Sequence, residues 1–366
     1  MCIMEFYKRA HTKKINIGGV TIGGGSPVAI QSMTNANSRD WKATVKQIKQ
    51  LEEAGCEIIR VSLPDIESAY NVSKIKKHIK IPLVADIHFD YRIALEALKQ
   101  GIDKLRINPG NIGSKDKVEI LVKEAKKAHI PIRIGVNAGS LKEAHNCSDN
   151  LSQAMALANA AMEHVKILEK HKFEDIVVSL KTSNIDTTTR AYKIFASKRN
   201  YSLHLGITEA GSMFNGTIKS AAGLGIMLYD GIGDTLRVSL TADPVEEVKM
   251  AYSLLQSMEL RSCGVEIVSC PTCSRCQVDL IKIVSEVEKK TSVMKNLKKL
   301  SKPIKIAIMG CVVNGPGEAK DADFGIAGGK DIGILFKNGE IIGKVKPSKW
   351  VQKIISMIKS YQDFQG

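Results

Sequence analysis

Short apolar runs rich in β-branched residues alternate with segments of helical periodicity from Pro27 onward. The linking segments, such as DWKATVKQIKQLEEAG and YRIALEALKQG, space their apolar residues as amphipathic helices do, and they end in glycine. Eight strand–helix units over about 240 residues predict an α/β fold, a (β/α)8 TIM barrel. An open doubly wound sheet is the alternative, but its usual glycine-rich first turn is missing from SMTNANSRD. The predicted strands cover residues 27–33, 57–63, 81–88, 104–110, 130–137, 175–181, 201–208 and 235–241.

Two further segments flank the predicted barrel. Ahead of it, KKINIGGVTIGGG predicts a hairpin with glycine turns, which we expect to pack across the bottom of the barrel. After it, the pattern changes near Leu260 and predicts a small α+β domain. This domain has strands at 264–270 and 302–311, helices at about 277–290 and 348–362, and a hairpin that turns on Asn338-Gly339. We therefore expect two domains, residues 1–260 and 261–366.

Apolar run lengths, net charge and aromatic content indicate where the protein acts and what kind of partner it binds. No apolar run approaches the ~20 residues of a membrane span, and MCIMEFYKRA has no apolar signal-peptide core, so we expect a cytoplasmic protein. The net charge of +15 favours an anionic partner, although a basic, solvated surface would have the same composition. Aromatic residues make up only 5% of the chain, which favours phosphorylated small molecules or acidic proteins over single-stranded nucleic acid.

Polar and charged residues interrupt or follow the predicted barrel strands, at the end where such barrels carry their active sites. Several guanidinium groups and a lysine that converge there would form an anion site suited to phosphate. Alternatively, each arginine pairs with a local carboxylate such as Asp86 or Asp103. Glu209 begins a polar loop and is either a general acid or a helix cap. The whole set is Arg60, Asp86, His88, Arg106, Asn108, Arg133, Asn137, Lys181, His204, Glu209 and Arg237.

Five of the eight cysteines lie between Cys263 and Cys311, and this clustering indicates metal binding or redox chemistry. SCPTCSRC places Cys270 and Cys273 in a C-x-x-C spacing after one strand, and Cys311 ends another strand. Zinc and an iron–sulfur cluster both use such thiolates. Three cysteines with a non-thiolate fourth ligand favour a 4Fe–4S cluster, and Glu318 follows Cys311 by seven residues. The role of Cys276 is ambiguous.

The motifs SCPTC and AIMGCVVNGPGEA, after RINPGNIG, RIGVNAGS, TEAG and GIGDTLRVSL, closely resemble one family. It is the 4-hydroxy-3-methylbut-2-enyl diphosphate synthase family (ferredoxin or flavodoxin type) of the methylerythritol phosphate isoprenoid pathway, in its two-domain bacterial form. The resemblance spans residues 15 to 346. It implies a two-electron reductive ring opening and dehydroxylation of 2-C-methyl-D-erythritol 2,4-cyclodiphosphate to 4-hydroxy-3-methylbut-2-enyl diphosphate.

The resemblance also implies site residues and partners. The 4Fe–4S cluster, one per chain, would be held by Cys270, Cys273, Cys311 and Glu318. The barrel and cluster domains would meet across a head-to-tail homodimer, and Glu209 and Glu318 would be the catalytic carboxylates. An acidic flavodoxin or ferredoxin would supply electrons. The substrate's diphosphate would lie among Arg60, Arg106, Asn108, Arg133, Asn137 and Lys181.

Two other classes remain open on the residues alone. One is a cluster-dependent dehydratase without net electron transfer, which turnover without a reductant would reveal. The other is a zinc-containing nucleic-acid binder, which iron and sulfide analysis would exclude. The stretch KKTSVMKNLKKLSKPIK, residues 289–305, has seven lysines and no acid. It is either a solvated surface or a docking patch for the acidic electron donor.

Overall fold

The structure is a computed structural model. It describes residues 11–365 apart from 109, 110, 113, 142, 143, 145, 146, 262, 263, 293, 295–302, 312–320 and 330. The chain divides into two compact units, Met1–Arg261 and Ser262–Gly366. Along the described residues, no helix is both long and apolar enough to cross a bilayer.

An antiparallel hairpin opens the described part of the first unit. Its strands are β1 (Ile15–Ile17) and β2 (Val20–Ile22). Gly18 and Gly19 form the turn with φ angles of 52° and 99°. The buried isoleucines of the hairpin pack on residues at the amino ends of barrel strands, among them Ala29, Ile58, Val84 and Val177. The hairpin therefore closes the bottom of the barrel, as expected on packing grounds.

The next eight strands are parallel and close into a barrel, because the last of them pairs with the first. This closure confirms the predicted fold and excludes the open sheet. Each strand falls within one of the eight predicted runs. They are β3 (Ala29–Met33), β4 (Ile58–Ser62), β5 (Leu83–Asp86), β6 (Lys104–Ile107), β7 (Ile132–Asn137), β8 (Ile176–Lys181), β9 (Ser202–Leu205) and β10 (Thr235–Leu236).

Helices connect these strands and bury their apolar faces against the outside of the barrel. Aspartate and asparagine side chains begin several of them by accepting backbone hydrogen bonds, as Asp40 does from Ala43 N. Gly55 ends the first helix with a φ of 99°. The helices are α1 (Trp41–Ala54), α2 (Ile66–Tyr70), α3 (Val72–Lys76), α4 (Tyr91–Lys99), α5 (Lys115–Lys127), α6 (Asn150–Lys170), α7 (Ile185–Ala196), α8 (Met213–Tyr229) and α9 (Pro244–Ser257), with a 3-10 turn at Ala138–Ser140.

The described part of the second unit is a five-stranded mixed sheet with helices α10 (Leu280–Ser292) and α11 (Trp350–Gln365) and a 3-10 turn at Pro347–Lys349. Its strands are β11 (Val265–Ser269), β12 (Ile304–Met309), β13 (Phe324–Gly328), β14 (Gly333–Lys337) and β15 (Glu340–Val345). The β14–β15 turn has Asn338 and Gly339 at φ angles of 50° and 81°, which confirms the predicted hairpin. The sequence pattern did not predict β13, because its FGIAG run is short and three of its five residues are glycine or alanine.

β11, β12 and β13 are parallel, with Ser269 opposite Ile308 and Met309 opposite Ala327. Segments that follow β11 and β12 therefore leave the sheet side by side at one edge. The cysteine motifs occupy these two segments.

Candidate active site

A cavity of about 150 Å³ opens at the carboxyl ends of the barrel strands. Side chains alternate along each strand, so every second residue points into the barrel. The sequence puts charged residues at these inward positions in the upper half of the barrel. The lining residues are Arg60, Asp86, His88, Arg106, Arg133, Asn137, Ser179, Lys181, Thr208, Arg237 and Ser239.

Asp86, at the end of β5, orients two of the arginines. Arg106 Nη1 donates to Asp86 Oδ1 at 2.9 Å, and Arg60 Nε lies 3.6 Å from Oδ2. His88 Nε2 is 3.5 Å from the same Oδ2. Burial by itself would raise the pKa of Asp86. The charge of Arg60, the hydrogen bond from His88 and the charge of Arg106 instead hold that pKa well below its ordinary value. One carboxylate thus serves two guanidinium groups.

Arg133 and Lys181 have no such counterion among the described residues that line the cavity. Arg133 is 1% exposed, and its Nε and Nη1 lack a hydrogen-bond partner within the described structure. Burial, then repulsion by Arg60 and Arg106, lowers its pKa well below the ordinary value. Burial and then Arg133 have the same effect on the pKa of Lys181. Because a guanidinium stays protonated in proteins, this strain is relieved when an anion enters the cavity.

Arg237 closes the ring of cations and pairs with Glu247 of α9. Its Nη2 lies 3.3 Å from Glu247 Oε2, and Leu240 N donates to Oε1 at 2.9 Å. Burial raises the pKa of Glu247, and the charge of Arg237 opposes that rise. Our sequence reasoning did not single out Glu247. The acidic first turn DPVEE of its helix offers only a weak signal, since such turns are common for dipole reasons.

Two glycines make space for the cationic side chains. A methyl group at Gly135 of β7 would lie 2.7 Å from Arg106 Nε and 2.9 Å from Nη2. A methyl group at Gly206, just after β9, would collide with Lys181 Nζ. The sequence reasoning also missed these residues. The available signal was a glycine inside an otherwise β-branched strand, which often marks a close approach of another group.

A second polar layer lies beneath the cavity, one inward position closer to the amino ends of the strands. Lys104 is fully buried and its Nζ has no hydrogen-bond partner among the described residues. Burial, followed by repulsion from Arg133 and Arg60, lowers its pKa well below the ordinary value. His204 Nδ1 is 2.7 Å from Thr235 Oγ1, while burial and then Arg133 lower the pKa of this histidine. Asp86 is thus the one acidic side chain among the described residues that line the cavity, and neither Lys104 nor His204 adds negative charge beneath it.

The structure brings most of the predicted strand-end residues to one cavity, but not all. Asn108 is buried outside the lining, and His204 lies in the deeper layer. Glu209 is exposed with a left-handed φ of 53°, next to Thr208 of the lining. The alternative of local pairing is correct for Asp86. It is wrong for Asp103, which pairs with Lys76 at 2.6 Å.

A larger cavity, of about 420 Å³, lies near the amino ends of β9 and β10. Its cations are already paired: Lys193 lies 2.8 Å from Asp230, and Arg199 lies 3.2 Å from Glu169. By volume, the larger cavity is the better candidate for a ligand site, whereas the unpaired cations make the smaller cavity the better candidate. We assign the active site to the smaller cavity because unpaired buried cations require a ligand and paired ones do not.

In the second unit, the predicted cysteine ligands follow neighbouring strands. Cys270 comes directly after β11, and Gly310 and Cys311 come after β12. Gly310 N donates to Cys270 Sγ at 3.3 Å, so the Cys270 sulfur lies beside the chain that leads into Cys311. Cys273 is exposed.

These thiols do not form a ready-made metal site. Within the described residues, no three His, Cys, Asp or Glu side chains are grouped closely enough to hold a metal ion. Glu318 lies outside the described residues, as do Lys295, Lys298 and Lys299 of the basic stretch. The cluster ligands therefore stay a prediction, supported by the chemistry of the thiols and the strand ends from which they come.

The closed barrel defines a TIM-barrel protein, and its cationic cavity is a candidate anion-binding site. Residues 12–252 match the family model for the GcpE TIM-barrel domain, and residues 266–360 match that for the GcpE protein C-terminal domain. The chain belongs to the GcpE family.

Curated relatives cover nearly the whole chain. A Clostridium acetobutylicum protein named 4-hydroxy-3-methylbut-2-en-1-yl diphosphate synthase (flavodoxin) is 53% identical over 357 residues, 96% of this chain and 99% of its own. A relative of the same name from Thermodesulfovibrio yellowstonii is 53% identical over 352 residues, again 96% and 99% of the two chains. These relatives confirm the family that the sequence motifs indicate.

Solved structures that are similar to this chain show the fold alone. Dihydropteroate synthase from Stenotrophomonas maltophilia superposes with a TM-score of 0.52 at 11% identity, over 68% of this chain and 98% of that one. The Yersinia pestis enzyme gives a TM-score of 0.51 at 13% identity, over 68% and 99%. The shared part has the length of the barrel.

Proposed function

We propose that this chain catalyses the reaction for which its relatives are named, as an oxidoreductase of isoprenoid biosynthesis. The substrate is 2-C-methyl-D-erythritol 2,4-cyclodiphosphate and the product is 4-hydroxy-3-methylbut-2-enyl diphosphate. The observation that carries the proposal is the cavity of buried, incompletely neutralised cations at the carboxyl ends of the barrel. A compact cyclic diphosphate supplies the negative charge that this cavity requires.

The barrel residues have separate tasks in this proposal. Arg106 and Arg60, held by Asp86, present guanidinium groups whose geometry suits bidentate binding of phosphate oxygens. Arg133 and Lys181 supply positive charge that no ion pair with a described lining residue neutralises. Asn137 and Ser179 add neutral polar groups to the cavity wall. Asn108, which lies outside the lining, is proposed as a further polar residue near the substrate. Together they fix the substrate and exclude water from its diphosphate.

The residues of the second unit fit an iron–sulfur cluster in their chemistry, because soft thiolates follow two adjacent strand ends. Cys270, Cys273 and Cys311 would hold a 4Fe–4S cluster, with Glu318 as the fourth ligand. When bound, this group supplies electrons one at a time, which amino-acid side chains do not do. In this proposal Glu209 acts at the reacting end of the substrate. The domain of residues 1–260 binds the substrate, and the domain of residues 261–366 binds the cluster.

Anaerobically purified full-length chain tests the reaction. Incubated with the cyclic diphosphate and a reductant, it should form 4-hydroxy-3-methylbut-2-enyl diphosphate, detected by mass spectrometry, and without reductant it should form none. Iron and labile sulfide should be present in each chain. Product formation without any reductant would favour the dehydratase, and a colourless zinc protein would exclude the cluster.

We propose a head-to-tail homodimer in which the cluster unit of one copy serves the barrel of the other. Phe89, just after β5, is 77% exposed, and Phe214, in the first turn of α8, is 74% exposed. Both lie on the face where the cavity opens, and large exposed aromatic side chains there favour a covering partner. Co-expression of a Cys270→Ser chain with an Arg133→Ala chain should restore part of the activity in verified mixed dimers. No recovery would favour a site built within one chain.

The electron donor is an acidic flavodoxin or ferredoxin. The relatives' name supports flavodoxin, and the net charge of this chain, +15, favours an acidic protein. The stretch 289–305 is the proposed docking patch.

A further inference from the structure

The cysteine motif contains a second, overlapping C-x-x-C spacing that the cluster ligands do not explain. Cys273, Ser274, Arg275 and Cys276 form a hydrogen-bonded turn, in which Cys276 N donates to Cys273 O at 2.9 Å. Such a turn brings its first and last Cα atoms within ~7 Å of each other. Disulfides bridge Cα atoms ~4.4–6.8 Å apart. The backbone between these two cysteines therefore already has the approach that a disulfide needs.

The two thiols differ in access in the way that a disulfide-forming pair requires. Cys273 is exposed, so a small disulfide can reach its sulfur. Cys276 is half-buried among apolar residues, and its Sγ donates to Val278 O at 3.3 Å. Gly310 makes room for this sulfur, because a methyl group at that position would collide with Cys276 Sγ. Cys276 is thus held beside the exposed thiol.

The other C-x-x-C pair is less well prepared. The segment from Cys270 to Cys273 contains no hydrogen-bonded turn. Cys270 Sγ also accepts the hydrogen bond from Gly310 N at 3.3 Å. Cys273 therefore has a prepared partner in Cys276 rather than in Cys270.

We infer that Cys273 and Cys276 are a thiol–disulfide site that reacts with low-molecular-weight disulfides such as oxidised glutathione. Cys273 attacks the glutathione disulfide and forms a mixed disulfide, which releases one glutathione thiol. Cys276 sulfur then attacks the Cys273 sulfur and releases the second glutathione. Two protein thiols are oxidised to one disulfide, and one glutathione disulfide is reduced to two thiols. The disulfide protects Cys273 from further oxidation and prevents it from binding metal.

The disulfide itself is independent of the proposed function, whereas its effect on metal binding rests on Cys273 being a cluster ligand. The first test uses the cluster-free full-length chain in glutathione buffers, followed by alkylation, digestion and mass spectrometry. Oxidised buffer should produce a Cys273–Cys276 link. Cys276→Ser should instead retain glutathione on Cys273, since the resolving thiol is gone. The matched control Cys147→Ser, in the barrel unit, should form the link as the wild type does. A dominant Cys270–Cys276 link, or no link at all, would overturn the inference.

The second test measures uptake of iron and sulfide by the chain after the link has been mapped. The oxidised chain should take up at least tenfold less iron than the reduced chain and should recover after treatment with dithiothreitol. Equal uptake by the linked and reduced chains would refute the protective role. If neither chain takes up iron although the link forms, the proposed cluster is wrong and the disulfide site stands.

Discussion

Gly135 offers a way to move one arginine of the active site without changing any charge. In Gly135→Ala, the new methyl group would lie 2.7 Å from Arg106 Nε and 2.9 Å from Nη2, closer than such atoms approach in practice. The backbone of β7 is held in the barrel on both sides, so the guanidinium group must move. It would then lose its position in the cavity, where Arg106 is one of the lining cations.

The expected effect is on substrate binding rather than on folding. A hydrogen bond from Arg106 to a substrate phosphate oxygen, as one to a charged group, contributes ~1.5–3 kcal/mol, so its loss should raise the dissociation constant by about 10- to 150-fold. Stability should change by less than ~1 kcal/mol, because the group displaced is the end of a flexible side chain. Isothermal titration with the cyclic diphosphate and chemical denaturation measure the two quantities separately.

Gly139→Ala is the matched control, since Gly139 follows the same strand and a methyl group there meets nothing within 4 Å. It should bind substrate as the wild type does. In an Arg106→Ala background, Gly135→Ala should add less than about threefold, because its effect acts through Arg106. Wild-type affinity in Gly135→Ala, or full additivity of the two changes, would refute the proposed role of Gly135.

Three further predictions follow from buried charge and surface charge. Lys104→Met should raise the free energy of unfolding at pH 7 by ~1–3 kcal/mol, since it removes a buried amine that lacks a partner. The pKa of Lys104 is lowered in the folded state, so the unfolded chain binds more protons than the folded chain up to about pH 10.4. The free energy of unfolding of the wild type should therefore rise with pH, and the stability advantage of Lys104→Met should shrink. Urea titrations at several pH values measure both trends. Arg133→Lys keeps the positive charge but loses the two-pronged donor geometry of the guanidinium group, so affinity for the cyclic diphosphate should fall about tenfold with iron content unchanged. An unchanged dissociation constant would assign Arg133 a structural role only. Reversing Lys295, Lys298 and Lys299 to Glu should slow turnover with flavodoxin, more so at low salt, and leave turnover with a small artificial reductant unchanged; equal slowing with both donors would indicate a folding role for the patch.

The sequence pattern was sufficient for the architecture because the barrel repeats one local rule eight times. Each β-branched run is a strand buried on both faces, and each amphipathic segment is a helix that covers it. Runs such as EIIRVSL and DIVVSLK could therefore be identified as strands from their own residues, without knowledge of the strands that pair with them. β13 shows the limit of this reasoning. Its FGIAG run has little β-propensity, and it becomes a strand because β12 and β14 pair with its two sides.

The site was predictable to the extent that it depends on strand ends. Arg60, Arg106 and Arg133 lie at inward positions of β4, β6 and β7, and parallel pairing brings such positions together in any closed barrel. The family resemblance then named the ligand that these charges require. Asn108 and Glu209 were placed by the same reasoning, yet neither lines the cavity. A residue just past a strand takes its direction from the loop, which the strand pattern does not specify.

The sequence by itself determined the barrel, the hairpin beneath it, the basic character of the site and the thiols available for metal. Only the tertiary structure decided which carboxylate neutralises which cation. Asp86 serves two arginines, Glu247 reaches Arg237 from a helix ten residues away in sequence, and Asp103 pairs with Lys76 instead. The physical reason is that pairing depends on distances of 3–4 Å between side chains on different elements. Burial and the space left by a glycine set those distances, and neither is written in local periodicity.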